Sequence, residues 1–339
     1  MTNGTDFGYY LAKYLSDYLP LQINASKNTL FAYRDTFILL LEYLEKYRKL
    51  SPDTLTVSCI NVGMVVDFLS WLESERGYSV SSRNHRLSII RAFFKYLQFM
   101  DPKYLAHCQA IFGIRHKKTH SKPPEFLSAE AIAAILAEPD TRTEDHYRDL
   151  MMLSLMYDTG ARVQEICDLR VCDVKLQDFP SVDLKGKGNK TRNVPIMSKT
   201  ATMLTRYIAA LNLFQEPPDT PLFRNHAKQK LTRNGITYIL QKYTGIARSK
   251  APKLLPDKVT CHMLRHSKAV HLVQSGVNII YIRDFLGHTN IRATEVYARA
   301  DGEMKRAALV KAGEKKVISS RQSWNNDPGL VSWLKAFGK

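Results

Sequence analysis

Apolar residues recur at helical spacing through the first third of the chain. The longest such segment opens at Asn28, and its apolar stripe consists of Phe37, Leu40, Leu41 and Leu44. Further helices are predicted around residues 62–75, ahead of Gly77, and around 81–100, the last with an apolar stripe made of Leu87, Ile90, Phe94 and Leu97. This spacing predicts an entirely helical region over about residues 7–112.

The periodicity changes in the middle of the chain. Residues 181–184 and 193–196 alternate between apolar and polar, and the turn-forming run Gly186-Lys187-Gly188-Asn189-Lys190 lies between them, which predicts a β-hairpin. Helices are predicted elsewhere at about 129–137 (with Ser128 as its cap), 146–158, 200–213, 234–246, 262–274 and 277–286. The predicted fold class is therefore mainly α with a small β-hairpin or sheet.

The charge balance predicts a polyanionic partner. Lys and Arg number 49 against 32 Asp and Glu, which gives a net charge of +17. Nucleic acid is the first candidate partner and an anionic membrane surface the second, while the alternative is a soluble basic protein without either. The apolar run at 37–41 is too short to cross a membrane, the first ten residues lack a basic signal region, and the five scattered cysteines favour reduced thiols. We therefore predict a cytoplasmic protein.

The segment from Arg115 to Pro124 is polar and basic and ends in two prolines, which disfavour helix before them. With 339 residues, roughly two domains are expected. We predict a helical domain over 1–115, a linker over 116–124 that either follows DNA or is a plain hinge, and a mostly helical domain over 125–339. Its tail is predicted to be an amphipathic helix that docks on its own domain or a neighbouring copy, with an apolar stripe made of Leu330, Val331, Leu334 and Phe337 and with Trp333 beside it.

Several polar residues have the chemistry needed to break a phosphodiester. The transition state concentrates negative charge on the non-bridging oxygens, and the planar guanidinium of arginine donates two parallel hydrogen bonds while staying charged. Arg162, which follows Gly160 at a helix-to-helix turn, and Arg265 are the candidates for this role. Glu165 lies one helical step from Arg162 and is expected to orient it or a histidine.

Tyr297 is the candidate nucleophile, because a side-chain oxygen can form a covalent phosphoester. A phenol has a pKa of about 10 and needs cationic neighbours and a base. His262, three residues before Arg265, and His288, nine residues before Tyr297, are expected to assist. A lysine of the hairpin would protonate the leaving oxygen, with Lys187 as the candidate and Lys190 as its rival.

No metal site or cofactor is predicted. Cys167 and Cys172 lack CxxC spacing, and His262 and His266 are four residues apart without the glutamate of an HExxH motif. Basic residues outside the reactive set are predicted to contact DNA, although an ordinary solvated face is the alternative for those on the helix near residue 90. They are Arg83, Arg86 and Arg91 on that helix, Lys117 and Lys118 in the linker, and Lys190 and Arg192 on the hairpin.

The motifs together resemble the phage-integrase family, the tyrosine recombinases. TGARVQEI (159–166) resembles the first arginine box, HMLRHS (262–267) the His-x-x-Arg box, and LGH (286–288) with Tyr in TEVYAR the third box and the nucleophile. GKGNKTRNVP (186–195) is similar to the family's catalytic hairpin. The resemblance covers essentially residues 124–300 and, more loosely, extends to a helical, SAM-like core-binding domain before them.

The resemblance implies a site-specific DNA recombinase with a catalytic domain of the DNA breaking-rejoining type. Tyr297 would form a 3′-phosphotyrosyl link and release a 5′-hydroxyl without a metal, and strands would be exchanged through a Holliday junction. The residues implied to assist are Arg162, Lys187, His262, Arg265 and His288, with Glu165 in support. The implied partners are double-stranded DNA carrying specific sites and further copies of the chain, from dimer to tetramer, with exchange of a C-terminal helix.

Two points remain open from the resemblance. Lys268 occupies a position where many family members carry an aromatic residue. A compact recombinase of the dimer-resolution or transposon-encoded kind is expected, but integration, excision, transposition and dimer resolution are all compatible with the motifs. The alternative functions are a type IB-like topoisomerase and a DNA-binding protein without catalysis.

Overall fold

The computed structural model describes residues 5–119, 124–186, 188 and 190–300. The chain divides into two compact units between Ser121 and Lys122. The first unit is helical, and serine hydroxyls cap two of its helices: Ser26 accepts from the backbone N–H of Thr29, and Ser79 from that of Ser82. Its elements are α1 (Asp6–Lys13), a π-helical segment (Tyr14–Gln22), α2 (Lys27–Arg48), α3 (Val62–Ser74), α4 (Val80–Met100) and α5 (Leu105–Phe112).

The core of the first unit contains the predicted apolar stripes. Phe37, Leu40 and Leu44 of α2 are buried, together with the stripe of α4 at residues 87, 90, 94 and 97. Phe93, on the neighbouring face of α4, makes edge-on ring contacts with Phe7 and Phe37. The π-helical segment and α5 lie within the region predicted to be helical, although neither was predicted as a separate element.

The placement of Arg83 on an exposed basic face is wrong. Arg83 is 5% exposed, because it precedes Leu87 and Ile90 by four and seven residues and therefore shares their buried face of α4. Arg86 is half-buried and donates to the carbonyl oxygen of Ala32 and to the hydroxyl of Thr36 on α2. Arg91 is also half-buried. DNA contact by these residues stays a prediction.

The first residues of the predicted linker are held against α4. The side-chain amide of Asn84 accepts from the backbone N–H of Lys117 at 3.1 Å and donates to its carbonyl oxygen at 2.8 Å. The side chains of Ser88 and His116 are hydrogen-bonded at 3.1 Å, and Lys117 pairs with Glu73 of α3 at 2.6 Å. Residues 116 and 117 thus belong structurally to the first unit, and the domain boundaries remain a prediction.

Within the described residues the second unit combines eight α-helices, two short 3₁₀ helices (Val171–Asp173 and Leu213–Gln215) and three strands. The strands form one antiparallel sheet in the order β1-β2-β3. Its helices are α6 (Ala129–Leu136), α7 (Glu144–Thr159), α8 (Val163–Cys167), α9 (Ser198–Ala210), α10 (Arg233–Lys250), α11 (Cys261–Gln274), α12 (Ile279–Leu286) and α13 (Arg292–Ala300). Its strands are β1 (Val174–Lys175), β2 (Ser181–Lys185) and β3 (Thr191–Pro195).

The predicted hairpin is β2 and β3. Val182 pairs with Val194 and Leu184 with Arg192, and both valines and Leu184 are fully buried. Residues directly opposite each other in an antiparallel pair share a face, so Arg192 points toward the interior with Leu184. Lys187 and Asn189, at the tip, lie outside the described residues.

The mainly helical fold class with a small sheet is confirmed, although β1 and α13 were not predicted. No helix in the described ranges is long and apolar enough to cross a membrane. The predicted tail helix at residues 330–337 lies outside the described part of the chain.

Candidate active site

The turn that carries Arg162 requires a glycine at its start. Helix α7 ends at Gly160, whose φ is +57°, and a Cβ atom there would approach Cδ2 of Leu286 to 2.8 Å. The chain then turns directly into α8, where the backbone N–H of Arg162 donates to Oε2 of Glu165 at 2.7 Å. This bond fixes the direction in which the Arg162 side chain leaves the turn.

Glu165 lies between two arginines. Its side chain is almost fully buried, and Oε1 accepts from Nη1 of Arg162 at 2.9 Å and from Nη1 of Arg192 at 2.7 Å. Oε2 accepts from Nη2 of Arg192 at 2.8 Å. Burial raises the pKa of Glu165, but the hydrogen bonds and charges of Arg192 and Arg162 outweigh it and hold the pKa below its ordinary value. The carboxylate is therefore ionised at neutral pH.

Arg265 on α11 is buried among the ends of two other helices. Its Nη1 donates to the carbonyl oxygen of Gly160 at 2.7 Å, and its Nη2 to that of Leu286 at 2.6 Å. Burial and the charges of Arg162 and Arg192 lower the pKa of Arg265 to about 10, so the guanidinium stays charged at neutral pH. It connects the ends of α7 and α12 and adds positive charge to the same region.

Three histidines surround this region. His288 follows Gly287, whose φ of +64° ends α12, and its Nδ1 is hydrogen-bonded to Oγ1 of Thr294 at 2.9 Å. Burial and the neighbouring Arg265 lower the pKa of His288 to about 4. Burial also lowers the pKa values of His262 and His266 on α11, that of His266 to about 4. Histidines with such pKa values are neutral at pH 7 and able to accept a proton.

Tyr297 of α13 lies in the same region. Its ring is 3% exposed and packs nearly parallel to that of His288, with centroids 6.3 Å apart. Its hydroxyl is 2.8 Å from Nδ1 of His266. Burial raises the pKa of Tyr297, while the charges of Arg265 and Arg162 act in the opposite direction. The phenol is therefore protonated at neutral pH and lies within the field of both arginines.

A cleft of about 470 Å³ opens beside these residues. Positive groups from the start of α8 and from the hairpin meet along it and outnumber its one carboxylate, that of Asp284 on α12, which suits a phosphate. Its lining includes Arg162, Gly186, Lys190, Thr191, Arg192, Gly287 and His288.

The structure thus brings together five of the six predicted reactive residues and Glu165. Lys187 lies outside the described residues, but its neighbour Gly186 and the rival Lys190 line the cleft. Arg192 was predicted to contact DNA, which stays a prediction; its guanidinium pairs with the buried Glu165, and its Nε donates to the carbonyl oxygen of Phe285. Lys118 is exposed.

Two features of the site were missed from the sequence. His266 was considered only as half of a zinc pair, and its contact with Tyr297 depends on how α13 packs against α11. Lys268, near Gly160, pairs with the buried Asp158 at 3.3 Å, and the other oxygen of Asp158 accepts from the backbone N–H of Met197. No cluster of three potential metal ligands occurs among the described residues.

Comparisons with known proteins identify the family of the chain. Residues 125–304 match the model of the phage integrase family, and residues 12–98 that of its N-terminal SAM-like domain. The integrase/recombinase y4rC of Sinorhizobium fredii is 33% identical over 336 residues, which are 99% of this chain and 100% of y4rC. Tyrosine recombinase XerD of Staphylococcus epidermidis is 32% identical over 85% of this chain and 92% of its own.

A solved structure has a similar fold. The XerH site-specific recombinase, bound to a palindromic difH substrate, superposes with a TM-score of 0.66 at 21% identity, covering 84% of this chain and 80% of XerH. Because two family models and two relatives match most of the chain, this chain belongs to the phage integrase family.

Proposed function

We propose that the chain is a site-specific DNA recombinase that cleaves and rejoins DNA through a covalent tyrosyl intermediate. The observation that carries the proposal is the position of Tyr297, whose hydroxyl lies in the same site as Arg162, Arg265 and His288. This is the arrangement needed for a phenol to displace a sugar oxygen from a phosphate held by fixed positive charges. Membership of the phage integrase family supports the same function.

Each residue of the site has a role in this proposal. Arg162, which is partly exposed at the cleft, and Arg265 stabilise the charge on the non-bridging oxygens. Glu165 orients Arg162 and Arg192 through its four hydrogen bonds. His262 and His288 donate or accept protons at the phosphate, and Lys187 protonates the 5′ oxygen as it leaves. The covalent link conserves the bond energy, so rejoining needs no external energy source.

DNA binding is proposed to involve both units. Lys190 lines the cleft of the second unit, and Lys118 is an exposed cation near the end of the first unit. On the first unit, Arg91 and Lys95 line an open cleft of about 460 Å³ with His116. Together with the net charge of +17, these cations favour a duplex as the partner. We further propose that copies of the chain assemble on DNA as dimers and tetramers and exchange strands through a Holliday junction.

The nucleophile is tested with a nicked suicide substrate, from which a short product diffuses away and traps the covalent complex. The wild-type protein is expected to form the adduct, and Tyr297→Phe to bind the same DNA without forming it. Tyr281→Phe is the matched control, because Tyr281 lies on the adjacent α12 but is 71% exposed. An adduct formed by Tyr297→Phe would show that the nucleophile is another residue.

Recombination is tested separately with two copies of a mapped cleavage site on one plasmid. Exchange that requires both copies is expected for a recombinase. Relaxation of plasmids that lack the site, without exchange, would contradict the proposal. Affinity for the site is expected to fall steeply with added salt, because binding releases counterions from the phosphates.

A further inference from the structure

Among the described residues the Tyr297 hydroxyl has one hydrogen-bond partner, and that residue was given no catalytic role from the motifs. Nδ1 of His266 lies 2.8 Å from the Tyr297 hydroxyl. His262, one turn earlier on α11, packs edge-on against the His266 ring with centroids 4.2 Å apart, and forms no hydrogen bond to Tyr297 in the described region. His288 contacts the face of the Tyr297 ring and uses its own Nδ1 for Thr294.

We propose that His266 is the proton acceptor of the strand-cleavage step, taking the phenolic proton of Tyr297 on its Nδ1 atom. This inference rests on the proposed function and assigns a catalytic role within that same site. It requires the neutral imidazole to carry its ring proton on Nε2, so that Nδ1 accepts the hydrogen bond that the phenol donates.

Strand cleavage and rejoining each conserve atoms and charge. The Tyr297 oxygen forms a bond to phosphorus while the bond from phosphorus to the 5′ oxygen breaks. The phenolic proton moves to Nδ1 of His266, and the 5′ oxygen receives a different proton from a separate acid, assigned above to Lys187. In rejoining, the 5′ oxygen bonds to phosphorus and gives its proton back to Lys187, while the bond from phosphorus to the Tyr297 oxygen breaks and His266 returns its proton to the departing phenolate.

His266 is a weak base, so it takes the phenolic proton only as the Tyr297 oxygen bonds to phosphorus and the phenol becomes strongly acidic. Burial, His262 and Arg265 lower the pKa of His266 to about 4, so the imidazole is neutral and available at pH 7. The same groups make the imidazolium a ready donor in the return step. Since the Tyr297 pKa is raised, little phenolate exists before a phosphate is bound, and proton transfer accompanies the attack on phosphorus.

The chain offers a closely matched control on the same helix. His271, five residues after His266 on α11, is hydrogen-bonded through its own Nδ1 to a tyrosine hydroxyl, that of Tyr157, at 2.7 Å. Its pKa is also lowered by burial. His266→Asn and His271→Asn therefore make the same chemical change in similar settings, and asparagine retains an acceptor without being a base.

The experiment measures the single-turnover rate of adduct formation on the suicide substrate, together with DNA affinity and thermal stability. His266→Asn and His266→Gln are expected to lower the rate by about 10²- to 10⁴-fold with DNA affinity unchanged. His271→Asn is expected to cleave at close to the wild-type rate. Because both His266 variants are measured, misfolding of one leaves the other as the test.

A second substrate distinguishes a base that acts on Tyr297 from an acid that protonates the leaving group. When sulfur replaces the 5′ bridging oxygen, the leaving group needs no proton, so variants of the leaving-group acid regain activity. The His266 variants are expected to stay slow on this substrate, whereas Lys187→Ala is expected to recover.

Three results would overturn the assignment: wild-type rates in both His266 variants, faster cleavage that marks His266 as a restraint on Tyr297, or recovery on the sulfur substrate. If instead Tyr297→Phe forms the adduct, the proposed function itself has failed. The two failures are therefore distinguishable within one set of assays.

Discussion

Replacement of Glu165 by glutamine is expected to destabilise the second unit strongly. The carboxylate accepts four hydrogen bonds, two at each oxygen, from Arg162 and Arg192. Glutamine retains an acceptor at one end only, and its amide NH₂ would face two further donors. The change thus leaves two guanidinium groups without their anion, one of them only 12% exposed.

The size of the effect follows from the burial of this network. Breaking a buried ion pair by removing one partner costs about 3–5 kcal/mol. For a unit of this size each kcal/mol corresponds to about 2–4 °C in melting temperature, so Glu165→Gln is expected to lower the Tm by roughly 6–20 °C. Adduct formation should fall as well, because Arg162 loses the partner that orients it.

The assay is thermal and urea unfolding of the full chain, with Asp168→Asn as the control. Asp168 forms an exposed pair with Lys230, and loss of such a pair costs about 0–1 kcal/mol. The pKa of Glu165 is lowered in the folded state, so its contribution is present above the ordinary value of 4.5 and lost at lower pH. The difference between wild type and Glu165→Gln should therefore shrink in acid. A loss below 1 kcal/mol at pH 7, equal to the control, would refute the reasoning.

Three further predictions concern the same unit. Gly160→Ala is expected to cost about 1–3 kcal/mol in urea unfolding, because alanine is strained at positive φ and its Cβ meets a leucine of α12; a neutral effect would contradict this placement. The pKa values of His266 and His288 are lowered to about 4, so unfolding takes up protons between about pH 4 and 6.5, and Tm should fall across that window as pH decreases, less steeply in His266→Asn. Lys268→Met should lower Tm by leaving Asp158 buried without its cation, and adding Asp158→Asn should restore much of the loss; the idea fails if the double variant is no better than the single one.

Much of the fold and the site was predictable because the signals are local. His262 and Arg265 lie three residues apart, so one helix presents both, and Gly160 sets the turn before Arg162 through its own φ angle. The helices and the hairpin follow from periodicities that a few residues suffice to define. Burial of the predicted stripes of α2 and α4 required no knowledge of the other elements.

The errors arise where a long side chain's environment depends on its position along the helix or strand, or on distant elements. Arg83 has the spacing of the α4 stripe and is buried with it, despite its charge. The inward direction of Arg192 was not predicted, although its alternation with Val194 along the strand indicates it. The contact of His266 with Tyr297 joins residues 31 apart, and no local pattern encodes it.

The two hydrogen bonds from Arg265 to Gly160 and Leu286 have a consequence for how such a site can change. The Arg265 guanidinium supplies positive charge to the site and also connects the ends of α7 and α12 through hydrogen bonds. Any variant at this position would therefore alter reactivity and architecture at once, and the two effects cannot be tuned independently. Sequence differences among related chains are therefore expected mainly at residues that contact DNA bases, and rarely at Arg265.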